Sequence, residues 1–157
     1  MEIRIAGDDD LDALVALRLC FLAEVGDEPD LTAHAELTRA TAAFFATQMA
    51  AGTVRTWLAE IEGALVGLVS VLVHAVPPMP EDPRTASGFV VNVWVDPAHR
   101  RRGIARALMV RAADDVDDLG LRRLALATTD AGRPLYESLG YAPNPFELAR
   151  PLAPPAR

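Results

Sequence analysis

The chain has 157 residues and a mass of 16.9 kDa, which fits one domain of the usual ~100–150 residues with room for a real core. Hydrophobic residues make up 51% and charged residues 24%, a balance that excludes a largely disordered chain. The formal net charge of −7 argues against a nucleic-acid-binding face.

Residues 2–5 alternate polar and apolar and predict a short strand. Asp8, Asp9 and Asp10 offer cap and first-turn carboxylates for a helix that carries Leu11, Leu14, Val15, Leu17, Arg18, Phe21 and Leu22 at helical spacing and ends at Gly26. Cys20, the single cysteine, reads as a small core residue of that helix with no disulfide partner. An acidic turn follows at 27–30, then a second amphipathic helix over 31–51. The period then changes. Residues 53–61 and 64–76 predict a hairpin about Glu62-Gly63. The apolar stretch 64–76 is too short to cross a bilayer, so no membrane partner is expected. Residues 77–87, with Pro77, Pro78, Pro80 and Pro83, predict an exposed loop that could form a lid. Residues 88–95 form a strand apolar on both faces, hence central in a sheet. A helix over 103–119, a strand over 122–128, a short helix over 130–139 and a last strand over 146–152 complete the order, with a frayed tail at 151–157. The start of the chain lacks a basic-then-apolar export pattern, so a cytoplasmic location is expected. His34, His74 and His99 stand far apart, and no zinc spacing occurs, so no metal is expected.

All fifteen basic residues are arginine, and four of them, Arg100, Arg101, Arg102 and Arg106, fall within seven positions. In an acidic protein, such a knot suggests a local anion site. The segment from Val90 reads V-V-N-V-W-V-D-P-A-H-R-R-R-G-I-A-R-A-L-M: a buried strand, an Asp-Pro break, an arginine-rich turn and a helix start. The first turn of a helix leaves N–H groups unpaired at the positive end of its dipole, where a phosphate fits. Gly103 admits close approach because it has no Cβ, and Ala105 is small. A Walker A loop is excluded because the chain has no lysine, and a dinucleotide fingerprint because Gly103 stands alone.

The run Arg100-Arg101-Arg102-Gly103-Ile104-Ala105 resembles the acyl-CoA pyrophosphate loop of the GCN5-related N-acetyltransferase (GNAT) superfamily. The preceding Val93-Trp94-Val95-Asp96-Pro97 resembles that family's fourth strand and its exit, and Leu135-Tyr136-Glu137 with Gly140-Tyr141 resembles its later helix block. The resemblance implies an α/β (α+β) GNAT fold as one N-acetyltransferase domain over 1–157. It implies a mixed, mostly antiparallel sheet of six or seven strands, splayed between strands 4 and 5 and flanked by about four helices. It implies acetyl-CoA as co-substrate, without a metal. Val93, Trp94 and Val95 would border the pantetheine arm, with main-chain groups of Val93 and Val95 pairing with it. Arg100, Arg101, Arg102, Gly103, Ile104, Ala105 and Arg106 would hold the pyrophosphate. Tyr136 would act as general acid on the leaving thiolate, since a phenol of pKa ~10 stays protonated at neutral pH.

Two departures from the family stand out. An asparagine often found seven residues before the tyrosine is here Thr129, which with Asp130 could bond the pantetheine or cap the helix. The fourth strand shows no base, since Phe89 and Val91 are apolar and Asn92 takes no proton usefully. Glu24, Glu28, Asp30, His74, Glu147 and a water chain stay open as the base, although His74, near the end of an apolar strand, reads first as a half-buried histidine; Glu24, Glu28 and Asn92 are substrate candidates. The acidic turn favours a cationic acceptor, a small-molecule or peptide amine, and Trp94 is expected to face the acceptor side. Apolar sheet edges are compatible with a homodimer. The rival reading is a non-catalytic acyl-CoA sensor of the same fold.

Overall fold

The computed structural model describes residues 1–26 and 34–145. They divide into two compact units, Met1–Ala127 and Thr128 onward.

The first unit is built on a five-stranded sheet. Strands β1 (Glu2–Ile5), β2 (Val54–Ile61), β3 (Ala64–Ala75), β4 (Ala86–Val95) and β5 (Leu124–Leu126) lie side by side in that order. Pairing is antiparallel from β1 to β4 and parallel between β4 and β5. The sheet is thus mixed and mostly antiparallel as expected, with five strands rather than six or seven. The strand expected over 146–152 lies outside the described residues, as do the acidic turn at 27–30, Glu28, Asp30, Glu147 and the tail.

Local chemistry explains the elements. Glu62 and Gly63, at φ 51° and 81°, turn β2 into β3 with Ile61 opposite Ala64. Positive φ at both central residues gives the tight turn whose twist matches the strands. Arg4 on β1 grips Asp10 with two 2.8 Å hydrogen bonds, and Asp10 also accepts from the Gly7 N–H, so helix α1 (Leu11–Gly26) starts from a fixed point. Helix α2 (Ala35–Ala50) lies within the predicted span 31–51. Leu14 of α1 and Phe45 of α2 pack with Val54, Leu58 and Leu68 on one face of the sheet. Helix α3 (Ile104–Asp117) covers the other face with Ile104, Leu108, Met109, Ala112 and Val116 buried. Trp57 alternates with Leu58 and so points to the α3 side. It is fully buried, and its indole N–H donates to Asp115 at 2.6 Å.

Two expectations need correction. Cys20 is exposed, because it follows buried Leu19 by one step and is turned off the apolar face. His74 is exposed at the far end of β3, not half-buried. The proline-rich loop is tied down: Arg84 donates to the Leu121 carbonyl at 2.8 Å and Arg122 to that of Pro77 at 3.0 Å.

In the second unit, helix α4 (Arg133–Glu137) is shorter than the predicted span 130–139. Gly140 at φ 87° closes it, with the Tyr141 N–H reaching back to the Tyr136 carbonyl at 3.0 Å.

Gly67 on β3 has no room for a side chain. A Cβ there would lie 2.9 Å from the Trp94 carbonyl oxygen and 3.3 Å from side-chain atoms of Leu108 and Val95. Gly67→Ala is therefore expected to lose roughly 1–3 kcal/mol through overpacking. A thermal melt that matches the parent would contradict this.

Candidate functional site

The site begins where β4 ends. The Asp96 carboxylate accepts from the Ala98 N–H at 2.8 Å and caps a single 3-10 turn, Pro97–His99. Arg101 and Gly103 then take left-handed conformations, at φ 62° and 79°, and Gly103 stands as N-cap of α3 without a side-chain cap. Helix geometry leaves the first-turn N–H groups of α3, those of Ile104, Ala105 and Arg106, without intrahelical acceptors, and the dipole makes that end positive. A Cβ on Gly103 would meet nothing within 4 Å, so the approach to these amides is open. Ile104 is buried and pins the turn, while Arg101, Arg102 and Arg106 are exposed.

Arg100 behaves differently. Its Nε donates to the Val95 carbonyl at 2.9 Å and its Nη2 to Glu24 at 2.5 Å. It braces the turn against β4 and α1. The Trp94 indole N–H also donates to Glu24, at 3.1 Å, and the Trp94 ring packs against the cluster around Leu14. The Arg100 guanidinium, aided by Trp94 and opposed by partial burial, holds the Glu24 carboxyl below the usual glutamate range. Glu24 is thus a bracing carboxylate.

The second feature is the edge of β4. Its pairing with β5 covers only Gly88, Phe89 and Val90, opposite Leu124, Ala125 and Leu126. From Val91 to Val95, β4 has no strand on that side among the described residues. The Asp96 N–H donates to the Val66 carbonyl at 2.9 Å. The alternation of an antiparallel ladder then aims the main-chain groups of Val93 and Val95 away from β3, toward the open side.

The third feature is a bulge. Leu68 faces Trp94 but Ser70 faces Val91, so Asn92 and Val93 share one partner position. Asn92 takes φ 58°, an uncommon value for a residue with a side chain. As a result, Val91 and Asn92 both line a cavity of about 280 Å³ on the α1–α2 face. Arg18, Leu22, Thr41, Phe44 and Phe45 contribute much of its wall. Asn92 is 5% exposed and donates to Ser70 Oγ at 3.4 Å; Ser70 in turn shares a 2.8 Å hydrogen bond with Thr56. Its Oδ1 accepts from Arg18. Among the described residues no carboxylate or imidazole lines the cavity, so Glu24 and His74 are not placed in its wall, while Glu28, Asp30 and Glu147 lie outside the described residues. Sequence reasoning missed the bulge and Arg18. The available signal was a charged residue within the apolar stripe of α1.

In the second unit, Tyr136 and Tyr141 meet edge to face at 6.1 Å between ring centroids. Burial raises the Tyr136 pKa, and burial together with Tyr136 pushes Tyr141 up to about 12. Thr129 serves the helix start: its Oγ1 accepts from the Gly132 N–H at 3.3 Å, and its carbonyl accepts from Gly132 and Arg133. Among the described residues, no group of three or more His, Cys, Asp or Glu could hold a metal ion, and no helix is long and apolar enough to cross a membrane.

The sequence profile of the acetyltransferase (GNAT) family matches residues 16–141. A GCN5-related N-acetyltransferase from Ralstonia eutropha JMP134 is 31% identical over 96% of this chain and 97% of that one, with a TM-score of 0.81. A predicted acetyltransferase from Clostridium acetobutylicum, solved with acetyl-CoA, shares the fold at 24% identity, covering 96% of this chain and 95% of that one, with a TM-score of 0.82. An aminoglycoside N-acetyltransferase solved with CoA shares it at 18% identity, covering 99% and 94% of the two chains, with a TM-score of 0.69. No curated protein matches the chain.

The Glu24 brace makes a spectroscopic prediction. In a carbon-detected NMR titration the Glu24 carboxyl titrates below its ordinary value of 4.5, and Arg100→Gln moves the midpoint back toward it. Equal midpoints with and without Arg100 would show that the guanidinium is not the cause.

Proposed function

The chain belongs to the acetyltransferase (GNAT) family, and from that premise we propose that it moves an acetyl group from acetyl-CoA to the amine of a small molecule or peptide by direct attack in a ternary complex. The observation that carries the reading is one continuous segment. It offers a strand edge at Val91–Val95 with no strand beside it among the described residues and, after one 3-10 turn, a helix N-terminus at Gly103 without a side-chain cap. An extended amide-bearing arm pairs with such an edge as an added strand would. A diphosphate suits the amides that follow. Spacing along the chain therefore matches the order of pantetheine and pyrophosphate in one ligand.

The residues divide the work. The Val93 and Val95 main chain would hold the arm, with the Val95 carbonyl shared with Arg100. Amides of Gly103, Ile104, Ala105 and Arg106 would bind the phosphates, and Arg101, Arg102 and Arg106 would draw the anion in. Arg100 acts as a brace in this reading. The acceptor nitrogen must be neutral to attack the thioester carbon. In this reading its proton leaves through water. As the C–S bond breaks, sulfur gains charge and needs a proton. We assign that proton to Tyr136, whose raised pKa keeps the phenol protonated at neutral pH. Thr129 supports the start of α4, the helix that carries Tyr136.

Two variants test these roles. Gly103→Glu places bulk and negative charge over the α3 amides, and its φ of 79° adds strain of about 1–3 kcal/mol. Calorimetry is expected to show no CoA binding by the folded variant, and parent-like affinity would refute the phosphate seat. Tyr136→Phe is expected to lower turnover by about 10²–10⁴-fold with CoA affinity unchanged. A rate equal to the parent's would remove the acid role.

A further inference from the structure

The cavity on the α1–α2 face is lined by a cation, Arg18, that has no counter-ion among the described residues. Arg18 lies four residues after Leu14 and three after Val15, both buried, and so projects from the apolar side of α1. Its guanidinium sits 5.1 Å from the Phe21 ring centroid and donates one hydrogen bond, to Asn92 Oδ1. A guanidinium has five N–H donors. Among the described residues, no carboxylate pairs with this one. Burial lowers its pKa, the mark of a desolvated cation.

The surroundings fix how it is held. Asn92 donates to Ser70 and accepts from Arg18, so the Thr56–Ser70–Asn92 chain orients the acceptor that Arg18 uses. Phe21 limits the guanidinium plane from another side. A desolvated charge is costly unless something pairs with it. The space it faces is about 280 Å³, and Leu22, Leu37, Phe44, Leu72 and Val91 make most of that space apolar. Such a site suits a small ligand with one planar anionic group and a hydrocarbon body. Asn92 and Val91 also belong to the stretch of β4 left open beside β5, where the transfer reading puts the donor arm.

We propose that this cavity takes the acceptor and that the acceptor is an amine carrying a carboxylate and an apolar side chain, a free apolar amino acid by chemical class, with Arg18 gripping the carboxylate. The proposal rests on the acetyl-transfer reading. It replaces the cationic acceptor expected from the net charge and the acidic turn with one that presents an anion to a positive pocket.

The test compares L-phenylalanine and L-leucine with 2-phenylethylamine and 3-methylbutylamine, the same amines without the carboxylate. CoA release is followed with a thiol reagent for the parent, Arg18→Met and Arg18→Lys, each first shown to fold by a thermal melt. The parent is expected to prefer the acids by at least about tenfold in kcat/KM, and in Arg18→Met the ratio is expected to fall within about threefold of one. Arg18→Lys keeps the charge without the fork, so it should retain part of the preference. Calorimetric titration with L-phenylalanine alone forms a second arm that needs no turnover. Binding that depends on Arg18 with no CoA release from any amine would fail the acetyl-transfer reading and leave the carboxylate grip standing. A parent that does not bind L-phenylalanine, or binds 2-phenylethylamine as well, overturns the proposal. So does an Arg18→Met variant with parent-like affinity. A preference for succinyl-CoA over acetyl-CoA that vanishes in Arg18→Met would place the anion on the donor and also overturn it. If Arg18→Met does not fold, the acid-to-amine comparison in the parent decides alone.

Discussion

The incomplete pairing of one strand governs the molecule. β4 is joined to β3 along nearly its whole length but to β5 over three residues only. A β-strand with unpaired main-chain groups must find water, another chain or a ligand to satisfy them. Here the open stretch of β4 is followed, after a short turn, by a helix whose first amides have no intrahelical acceptors. The two features are of one kind, main-chain groups left open by the secondary structure, and they lie close along the chain. In the proposed reading a single long ligand with amides at one end and phosphates at the other would satisfy both. The rest of the first unit keeps this stretch in place: Ile104 anchors the turn, Gly67 lets β3 approach β4 closely, and Arg100 ties the turn to Glu24 on α1.

The bulge at Asn92 solves a second problem with the same strand. An ideal strand would send Val91 and Asn92 to opposite faces. The left-handed residue sets both on the α1–α2 side, so β4 can offer its edge to one ligand and two adjacent side chains to another. Such a conformation costs free energy and persists only where the surroundings hold it. Asn92 is held by Ser70 and Arg18, and Ser70 by Thr56, each of them on a different element. The buried polar chain and the strained residue are thus one device.

Much of this was readable in advance, for identifiable reasons. Pro97 and Gly103 mark a break and a helix start by backbone chemistry alone, and the arginines around them are the ground for expecting an anion there. Glu62-Gly63 announced its turn in the same way. The bulge was hidden because one extra residue in an apolar strand leaves no periodic trace, although asparagine is among the residues that tolerate positive φ. Cys20 was misread because its neighbours Leu19 and Phe21 are apolar, while the helical step turns it outward. Arg100 was read with its arginine neighbours, yet its side chain runs backward to Val95 and Glu24, and sequence proximity carries no such direction. Arg18 stood in plain view within the apolar stripe, but a charge there acquires meaning only once the cavity in front of it is known.

Net charge says little about any one site, for a physical reason. A balance of −7 describes the whole surface, and at physiological salt exposed charges are screened beyond about 8 Å. What a ligand feels is the charge within that distance and the dielectric around it. At the α3 N-terminus the local charges are those of Arg101, Arg102 and Arg106 and the helix dipole, a combination that would favour an anion even on an acidic protein. In the α1–α2 cavity Leu, Phe and Val side chains form most of the wall, and such a low-polarity lining strengthens the field of Arg18 on anything beside it. The two positive sites therefore act independently of the total, and of each other's exposure. In the proposed reading the first would gather a highly charged ligand from solution, and the second would select for an acceptor that brings its own negative charge.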